Sequence, residues 1–270
     1  MTPAFPVPRS ATAPPPFPSR FSGASVLVTG AGSGLGRALA LGFAAEGASL
    51  TLAGRGREAL EETAALIGAA GTGAAVSPTD VSDPAAVGRL VARAVERFGS
   101  LDVAVNNAGV FRGGAPLTEL SDADWATLFD VNVTGVFHCL REEIALMRAQ
   151  PSGGAIVNIA SNLGAHRRFP GLAGYIASKA AVSALTRAAA LDHAAEGVRI
   201  NAVSPGPADT AMSLRPGESP ADRAERMKAQ SPLGRVSSTE EIVAAVLHLA
   251  SPAASSTIGA DLVVDGGAAA

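Results

Sequence analysis

A tyrosine and a lysine one helical turn apart are the residues best suited to move a proton. Tyr175 is the only tyrosine of the 270-residue chain, and Lys179 is one of its two lysines. Positions i and i+4 of a helix share a face. A phenol titrates at about pH 10, but a neighbouring ammonium favours the phenolate and lowers that pKa. The pair could therefore supply the proton in reduction of a ketone, the alternative being a chance pair on a surface.

A glycine-rich turn, TGAGSGLG at residues 29–36, separates the first predicted strand from the first predicted helix. Glycines let the backbone approach a pyrophosphate, which then lies at the positive end of the helix. The G-x-G-x-x-G spacing fails because Leu35 stands where the third glycine would be. The position between strand and helix still predicts a dinucleotide site. The candidate contacts of this turn are Gly30, Ser33, Gly34, Leu35 and Gly36.

The end of the second predicted strand bears on which dinucleotide binds. An acid there would accept hydrogen bonds from a ribose 2′-hydroxyl, as in NAD binders. The sequence instead runs Gly54-Arg55-Gly56-Arg57, with no acid before Glu58. A guanidinium can pair with a 2′-phosphate. We therefore predict NADP(H) in preference to NAD(H), with Arg55 as the contact, the alternative being a solvated surface arginine.

Strands and helices alternate regularly from residue 23 onward. This alternation predicts a Rossmann-type α/β fold, a doubly wound seven-stranded parallel sheet with helices on both faces. The predicted strands are 25–30, 48–54, 71–80, 101–109, 155–161, 198–206 and 259–267. The predicted helices are 36–47, 57–69, 84–98, 122–149, about 175–195 and 239–250.

Two segments depart from the alternation. Residues 1–22 are rich in proline and predict a flexible tail ahead of a single NAD(P)-binding catalytic domain at 23–270. Residues 207–235 carry Pro, Gly, Ser and charge with only short helical pieces. A long segment of this kind after a sheet strand predicts a substrate lid, the alternative being a disordered loop without a role.

The composition argues against several classes of protein. A net charge of −3 and a pI near 5.8 give no electrostatic case for nucleic acid or an anionic membrane. No run of 18 apolar residues predicts a membrane span. The single Cys139 cannot form an internal disulfide, which fits a cytoplasmic location. The four histidines lack metal-ligand spacing, so no metal is expected.

Three further motifs accompany the glycine turn and the Tyr–Lys pair. The strand IVNIAS ends at Ser161, NNAG occupies 106–109, and Pro205-Gly206 follows a later strand. Together with the glycine turn and the Tyr–Lys pair, they resemble the short-chain dehydrogenase/reductase family over about residues 23–267. The resemblance implies NAD(P)-dependent interconversion of a ketone and a secondary alcohol of small size. It also implies a homotetramer or homodimer.

The resemblance assigns a role to each candidate residue. Tyr175 would be the general acid/base, and Lys179 would bind the nicotinamide ribose and lower the pKa of Tyr175. Ser161 would hydrogen-bond the substrate oxygen, and Asn132 would hold a water in the proton relay. The implied cofactor contacts beyond the glycine turn and Arg55 are Asp80, Val81, Asn106, Asn107, Ala108, Gly109, Tyr175, Lys179, Pro205, Gly206 and Thr210.

The resemblance leaves the substrate open among acyl-thioester ketones, sugars or polyols, and steroids or other secondary alcohols. A rival from another class is a sensor or scaffold that binds the nucleotide without turnover. The Ser–Tyr–Lys–Asn set argues against the rival, because a scaffold has no chemical need for all four.

The sequence departs from the family pattern between Ser161 and Tyr175. Fourteen residues separate them, one more than usual, and Asn162 stands at the usual offset. The flanking NIAS and Gly164 upstream and FPG (169–171) downstream place the extra residue within 165–168. We therefore predict Ser161 as the hydroxyl and Asn162 as the alternative.

Basic residues fill this same stretch: His166, Arg167 and Arg168 follow one another. They could attract an anionic substrate or an acyl-carrier partner, the alternative being a solvated charged loop.

Overall fold

A computed structural model describes residues 19–69, 73–215 and 217–270, and it contains a seven-stranded parallel sheet in the order β3-β2-β1-β4-β5-β6-β7. The Rossmann-type prediction is confirmed. The strands are β1 (Ser25–Thr29), β2 (Ser49–Gly54), β3 (Ala74–Pro78), β4 (Val103–Asn106), β5 (Gly154–Ile159), β6 (Val198–Pro205) and β7 (Asp261–Val264). The helices are α1 (Gly34–Ala45), α2 (Arg57–Ala69), α3 (Pro84–Phe98), α4 (Asp122–Phe129), α5 (Gly135–Met147), α6 (Ala173–His193), α7 (Pro220–Gln230) and α8 (Thr239–Ala250).

The central strands of the sheet, β1, β4, β5 and β6, are largely buried on both faces, as parallel strands between two helical layers require. Alternate residues of a strand point to opposite faces. Val26 and Val28 of β1 therefore pack with Phe43 of α1 in one hydrophobic cluster. Leu27 packs in a second cluster with Leu90 of α3. Helices thus cover both faces, with the sheet between them.

Capping residues fix the helix ends that the sequence predicts. Asp83 begins α3 by accepting a hydrogen bond from the amide of Ala85 at 2.9 Å, and Gly99 ends it with a φ of 85°. Ser238 and Glu241 form the expected capping box at the start of α8. None of the described helices combines the length and apolar character that a membrane crossing needs.

The predicted helix 122–149 is interrupted. It begins as α4, widens into a π turn at Asp130–Thr134, and continues as α5. Gly135 follows the π turn where a Cβ would clash with the side chain of Val81. A π turn is a common device for aiming a side chain at a functional site. Here it carries Asn132.

The segment 207–235 is more helical than the sequence predicts. It contains the eleven-residue α7, which begins at a capping box formed by Ser219 and Asp222. Arg223 of α7 is buried and donates to Asp209, to the carbonyl of Thr210 and to Ser213. Helix α7 is stabilised by hydrogen bonds from Arg223 to the turn that precedes it. Local composition does not reveal these contacts.

The predicted boundary of the N-terminal tail is too late. Phe21 is buried with its ring edge against Phe43 at 4.8 Å, and Arg20 pairs with Glu46. Residues 19–22 therefore pack on the fold. Residues 1–18 lie outside the described residues, so the tail and the single domain stay predictions.

Candidate active site

The candidate residues converge at the carboxyl ends of β1, β4 and β5. The strand order reverses between β1 and β4, and ligands of doubly wound folds bind in the crevice at such a point. The glycine turn follows β1 and NNAG follows β4, while Ser161 follows β5. Helix α6 carries Tyr175 and Lys179 to the same edge.

The glycine turn is a tight cradle that side chains would fill. A Cβ on Gly36 would clash with the carbonyl oxygen of Gly30, and a Cβ on Gly30 would lie 2.8 Å from Nδ2 of Asn107. Gly34 has a φ of 50°, in the left-handed region that favours glycine. Ser33 is exposed, and Leu35 packs on the core beneath the turn. The backbone of the turn is thereby left open toward the crevice.

Thr29 locks the glycine turn to the NNAG segment. Its Oγ1 accepts hydrogen bonds from the amides of Asn107 and Ala108, each at 3.0 Å. The side chain of Asn107 donates to the carbonyl of Thr29 at 2.9 Å. Sequence reasoning missed Thr29 as a functional residue. Its signal was a threonine ending a buried strand, where a hydroxyl needs partners.

Arg55 and Asp80 share one corner of the crevice. The pKa of Asp80 is lowered by hydrogen bonds from Ser82, with a smaller contribution from the charge of Arg55. Arg57 instead pairs with Glu61 along α2 at 3.5 Å. Val81, next to Asp80, is buried against α5. Of the two arginines that follow β2, Arg55 is the one whose charge acts on Asp80.

The Tyr–Lys pair is buried at the other end of the crevice. Nζ of Lys179 donates to the carbonyl of Ile159 at 2.8 Å, and burial lowers the lysine pKa to about 8. Burial raises the pKa of Tyr175, against which a hydrogen bond with Ser161 acts to lower it. Desolvation of the phenol therefore dominates its pKa in the protein alone, and the expected lowering of that pKa by the charge of Lys179 stays a prediction.

Phe111 forms a wall beside the tyrosine that the sequence did not reveal. Its ring lies edge-on to Tyr175, with centroids 5.0 Å apart, and is more than one-third exposed. The available signal was an aromatic residue two positions after NNAG in a chain with few aromatics. The reacting oxygen of any substrate at Tyr175 would lie near an apolar surface.

Asn132 is fully buried, and its carboxamide forms hydrogen bonds with other groups of the protein. Its Oδ1 accepts from the amide of Val110 at 2.8 Å, and its Nδ2 donates to the carbonyl of Val110 and to Ser178. The carboxamide thereby ties the segment after NNAG to α6. A Cβ on Gly109 would lie 3.2 Å from Oδ1 of Asn132 and 3.5 Å from Nζ of Lys179.

Ser161 faces Tyr175, and Asn162 faces away from it. The hydroxyls of Ser161 and Tyr175 are hydrogen-bonded, and Oγ of Ser161 also accepts from the amide of Leu163 at 3.1 Å. Nδ2 of Asn162 donates to Asp265 beyond β7 at 3.0 Å. Its backbone amide donates to the carbonyl of Pro205 at 2.9 Å.

Pro205-Gly206 packs behind this strand end. A Cβ on Gly206 would lie 2.6 Å from the Cβ of Asp265. Thr210 lies farther along, with its methyl group 3.6 Å from where a Cβ on Gly34 would stand. The base of the segment 207–235 therefore closes over the glycine turn.

A buried carboxyl below the site escaped sequence reasoning. Glu143 of α5 accepts a hydrogen bond at 2.9 Å from Asn106, which also donates to Asn158 of β5 at 3.0 Å. Asn158 in turn donates to Thr186 of α6. Asn106 therefore points into the interior, and the prediction that its side chain lines the cofactor is wrong. Burial raises the pKa of Glu143 to about 7, opposed by the bond from Asn106.

Glu143→Gln is expected to change how stability depends on pH. A carboxyl whose pKa is higher in the fold than in the unfolded chain favours folding below the unfolded pKa of about 4.5 and loses that contribution as pH rises through about 7. The neutral glutamine avoids this loss. The unfolding free energy of the variant minus that of the wild type should therefore be about 2–3 kcal/mol larger at pH 8.5 than at pH 5.

Urea unfolding of both proteins at the two pH values measures this difference. Glu142→Gln, at the preceding and partly exposed position of α5, is the control and should leave the pH dependence unchanged. Parallel pH curves for the wild type and Glu143→Gln would contradict a buried carboxyl that titrates near neutrality.

Comparisons with known proteins extend over nearly the whole chain. Residues 30–269 match the family model described as enoyl-(acyl carrier protein) reductase. The 3β-hydroxysteroid dehydrogenase of Mediterraneibacter gnavus is 40% identical over 92% of this chain and 95% of its own length. The cis-4-hydroxycyclohexanecarboxylate dehydrogenase of Sinomonas cyclohexanicum is 44% identical over 89% of this chain and 94% of its own length.

Solved structures share the fold closely. Carveol dehydrogenase from Mycobacterium avium in complex with NAD has a TM-score of 0.88 and 30% identity, covering 92% of this chain and 98% of that one. A short-chain dehydrogenase from Burkholderia cenocepacia in complex with NADP has a TM-score of 0.84 and 34% identity, covering 93% and 100%. With its glycine turn, NNAG segment and Tyr–Lys helix, the chain belongs to the short-chain dehydrogenase/reductase family of oxidoreductases.

Proposed function

We propose that the protein interconverts a ketone and a secondary alcohol with a nicotinamide dinucleotide, using Tyr175 as general acid/base. One observation carries the proposal. A buried phenol is hydrogen-bonded to Ser161 and lies one helical turn from the buried ammonium of Lys179, at the sheet edge that bears the glycine turn. A hydroxyl and a phenol aimed at one point fit a carbonyl oxygen.

The cradle between β1 and β4 fits the dinucleotide. The glycines leave backbone where side chains would fill the space, and the amides at the start of α1 favour a pyrophosphate. A bound nicotinamide would supply the hydride in reduction and accept it in oxidation. The residues proposed to hold the dinucleotide are Gly30, Ser33, Gly34, Leu35, Gly36, Arg55, Asp80, Val81, Asn107, Ala108, Gly109, Tyr175, Lys179, Pro205, Gly206 and Thr210.

The protein groups divide the work at the substrate oxygen. In reduction, Tyr175 donates its phenolic proton to that oxygen, and Ser161 donates a second hydrogen bond as negative charge develops there. In oxidation, Tyr175 takes the proton back. Burial of the phenol keeps water from competing for the proton.

Lys179 provides positive charge beside the phenol. With a pKa of about 8, it is mostly protonated at neutral pH and loses its charge as pH rises further. Its charge would favour the phenolate that forms when Tyr175 gives up its proton. Asn132 acts through Val110 and Ser178, by fixing the segment after NNAG against α6.

An apolar wall favours substrates that carry a ring. Phe111 lies against Tyr175, while Phe169, ahead of α6, and Met212, beyond Thr210, are exposed. The names of related enzymes include a hydroxysteroid, a hydroxycyclohexanecarboxylate and carveol as substrates. We propose a cyclic secondary alcohol and its ketone as the substrate pair.

Reduction of a panel of ketones tests the proposal. NADPH consumption would be followed with cyclohexanones, steroid ketones, 3-oxoacyl thioesters and short ketose sugars, and binding of NADPH would be titrated separately. Turnover of cyclic ketones is the expected result. Binding of NADPH without turnover across the panel would favour the scaffold alternative instead.

The corner at Arg55 supports NADP(H) over NAD(H). No acid follows β2 before Glu58, and the charge of Arg55 reaches Asp80. A 2′-phosphate at this corner could accept charge-assisted hydrogen bonds from the guanidinium. Related structures are in complex with NAD or with NADP, so membership of the family does not by itself decide the preference.

Arg55→Glu is expected to raise the Kd for NADPH by about 10- to 100-fold, because it replaces a charge-assisted bond with repulsion. The Kd for NADH should change much less or fall. Fluorescence titration with both nucleotides measures the ratio. Arg57→Glu is the control, since Arg57 pairs with Glu61 on the surface of α2. Equal effects of the two substitutions on NADPH would sink the assignment.

We also propose a homotetramer or homodimer that pairs through α4, α5 and α6. Trp125, Phe137 and Leu191 on these helices are exposed, and apolar exposure of this kind fits helix packing between copies. The cytoplasmic location stays a prediction.

A further inference from the structure

The extra residue between Ser161 and Tyr175 lies in a small closed turn, residues 162–167, which we call the insertion turn. The amide of Arg167 donates to the carbonyl of Asn162 at 2.7 Å, and the amide of Gly164 donates to the carbonyl of Arg167 at 3.2 Å. The chain thus closes on itself at both ends of the turn. The added length is taken up at the tip, at Ala165 and His166.

One side of the insertion turn packs against the catalytic helix. A Cβ on Gly164 would lie 3.1 Å from the amide nitrogen of Ala180 and 3.2 Å from the Cβ of Lys179. No side chain fits there without displacing α6 or the turn. The turn is therefore in direct contact with the helix that carries Tyr175.

The tip of the insertion turn is fastened to β7 on the other side. Nε2 of His166 lies 2.9 Å from Oδ2 of Asp261, whose side chain has no exposed surface. The other oxygen of Asp261 accepts from the hydroxyl of Ser204 at 2.5 Å. A buried carboxylate needs such partners, so loss of the imidazole would leave one of its oxygens unsatisfied.

The insertion turn also orients Ser161. The amide of Leu163, inside the turn, donates to Oγ of Ser161 at 3.1 Å. Asn162 fastens the start of the turn to Asp265. The direction of the Ser161 hydroxyl toward Tyr175 thus depends on where the turn is held, and His166 holds its tip.

We propose that His166 is a positioning residue, which through its bond to Asp261 fixes the insertion turn and so aims the Ser161 hydroxyl at the substrate oxygen. This inference rests on the proposed function. It replaces the view of His166, Arg167 and Arg168 as one basic cluster, because His166 faces a buried carboxylate of its own chain. Shifts of about 1 Å in a catalytic group can cost as much as a hundredfold in rate.

The test measures kcat for ketone reduction and the Kd for NADPH in His166→Ala and His166→Gln. His166→Ala should lower kcat by about 10- to 100-fold and leave the Kd for NADPH within about twofold. His166→Gln keeps a donor of similar reach and should restore most of the rate. The side chain of His166→Asn is too short to reach Asp261, so this variant should behave like His166→Ala and provides a second comparison if His166→Ala fails to fold.

A double-mutant comparison separates positioning from general support of the fold. In a Ser161→Ala background the hydroxyl is gone, so His166→Ala should cost less than about twofold more. His193→Ala is the matched control, because His193 pairs with Glu196 at 2.8 Å far along α6. It should leave kcat unchanged.

Each outcome decides the matter. If His166→Ala lowered kcat by the same factor in the wild-type and in the Ser161→Ala background, a role through Ser161 would be overturned. A kcat within twofold of wild type, or an equal loss in His193→Ala, would overturn it as well. A wild type without turnover overturns the proposed function together with this inference, whereas an active wild type indifferent to His166 overturns the inference alone.

Discussion

Replacement of Tyr175 by phenylalanine is expected to lower kcat for ketone reduction by about a thousandfold or more while NADPH binding persists. The hydroxyl is the proposed proton donor, and the aliphatic hydroxyl of its partner Ser161 is too weak an acid to replace it at neutral pH. The ring itself is preserved, so its edge-on packing against Phe111 at 5.0 Å survives. The loss should therefore fall on kcat and leave the fold intact.

Steady-state NADPH consumption at saturating ketone measures kcat, and fluorescence titration measures the Kd for NADPH. A Kd within about threefold of wild type would show that the cradle is unaffected. Phe111→Leu is the companion variant. It keeps the phenol and removes the aromatic wall, so it should raise KM for cyclic ketones more than it lowers kcat. If Tyr175→Phe retained a tenth of the wild-type kcat, another group would have to be the proton donor.

The fold follows from local patterns that the sequence carries openly. Apolar strands such as 25–29 are buried on both faces, and capping residues such as Asp83 and Ser238 mark helix starts regardless of the rest of the chain. The features that these patterns do not predict depend on contacts between residues that are distant in the chain. The π turn at Asp130–Thr134 exists where Asn132 bonds the backbone of Val110, and α7 exists where Arg223 meets Asp209.

In the candidate site, too, the sequence predicts some features and only the folded structure gives the others. Resemblance to a family names Tyr175, Lys179, Ser161 and Asn132, because their spacing lies in the sequence itself. It does not give the pKa of the phenol, which burial raises and no spacing reveals. It also does not find Glu143, whose carboxyl is buried through contacts with strands far away in the chain. Burial is a property of the assembled fold, so quantities that depend on it required the structure.

The direction of the Asn162 side chain bears on whether Ser161 or Asn162 lies beside Tyr175, a choice that the sequence leaves open. Counting residues back from Tyr175 places Asn162 at the usual offset, whereas the flanking motifs favour Ser161. The two side chains point apart: Ser161 bonds Tyr175, and Asn162 bonds Asp265. The turn at 162–167 closes on itself through backbone hydrogen bonds and so has room for the additional residue, which favours the motif alignment over the count.

Ser161→Ala is accordingly expected to lower kcat for ketone reduction by about 100- to 1000-fold, the cost of removing one donor from a developing oxyanion. Asn162→Ala removes a bond to Asp265 and should lower the free energy of unfolding by about 1–3 kcal/mol, since it leaves a buried acceptor unpaired. The loss in its kcat should be far smaller than that of Ser161→Ala. Kinetics and urea unfolding of both variants measure these effects.

Ser161→Thr keeps the hydroxyl and is the matched control for the alanine variant. It should recover much of the rate if the added methyl group fits, because the hydroxyl can still bond both Tyr175 and the substrate oxygen. The opposite pattern, with Asn162→Ala inactive and Ser161→Ala near wild type, would mean that the carboxamide leaves Asp265 to reach the substrate. The insertion turn would then have to open during turnover, and the bond between Arg167 and Asn162 that closes it would break in each cycle.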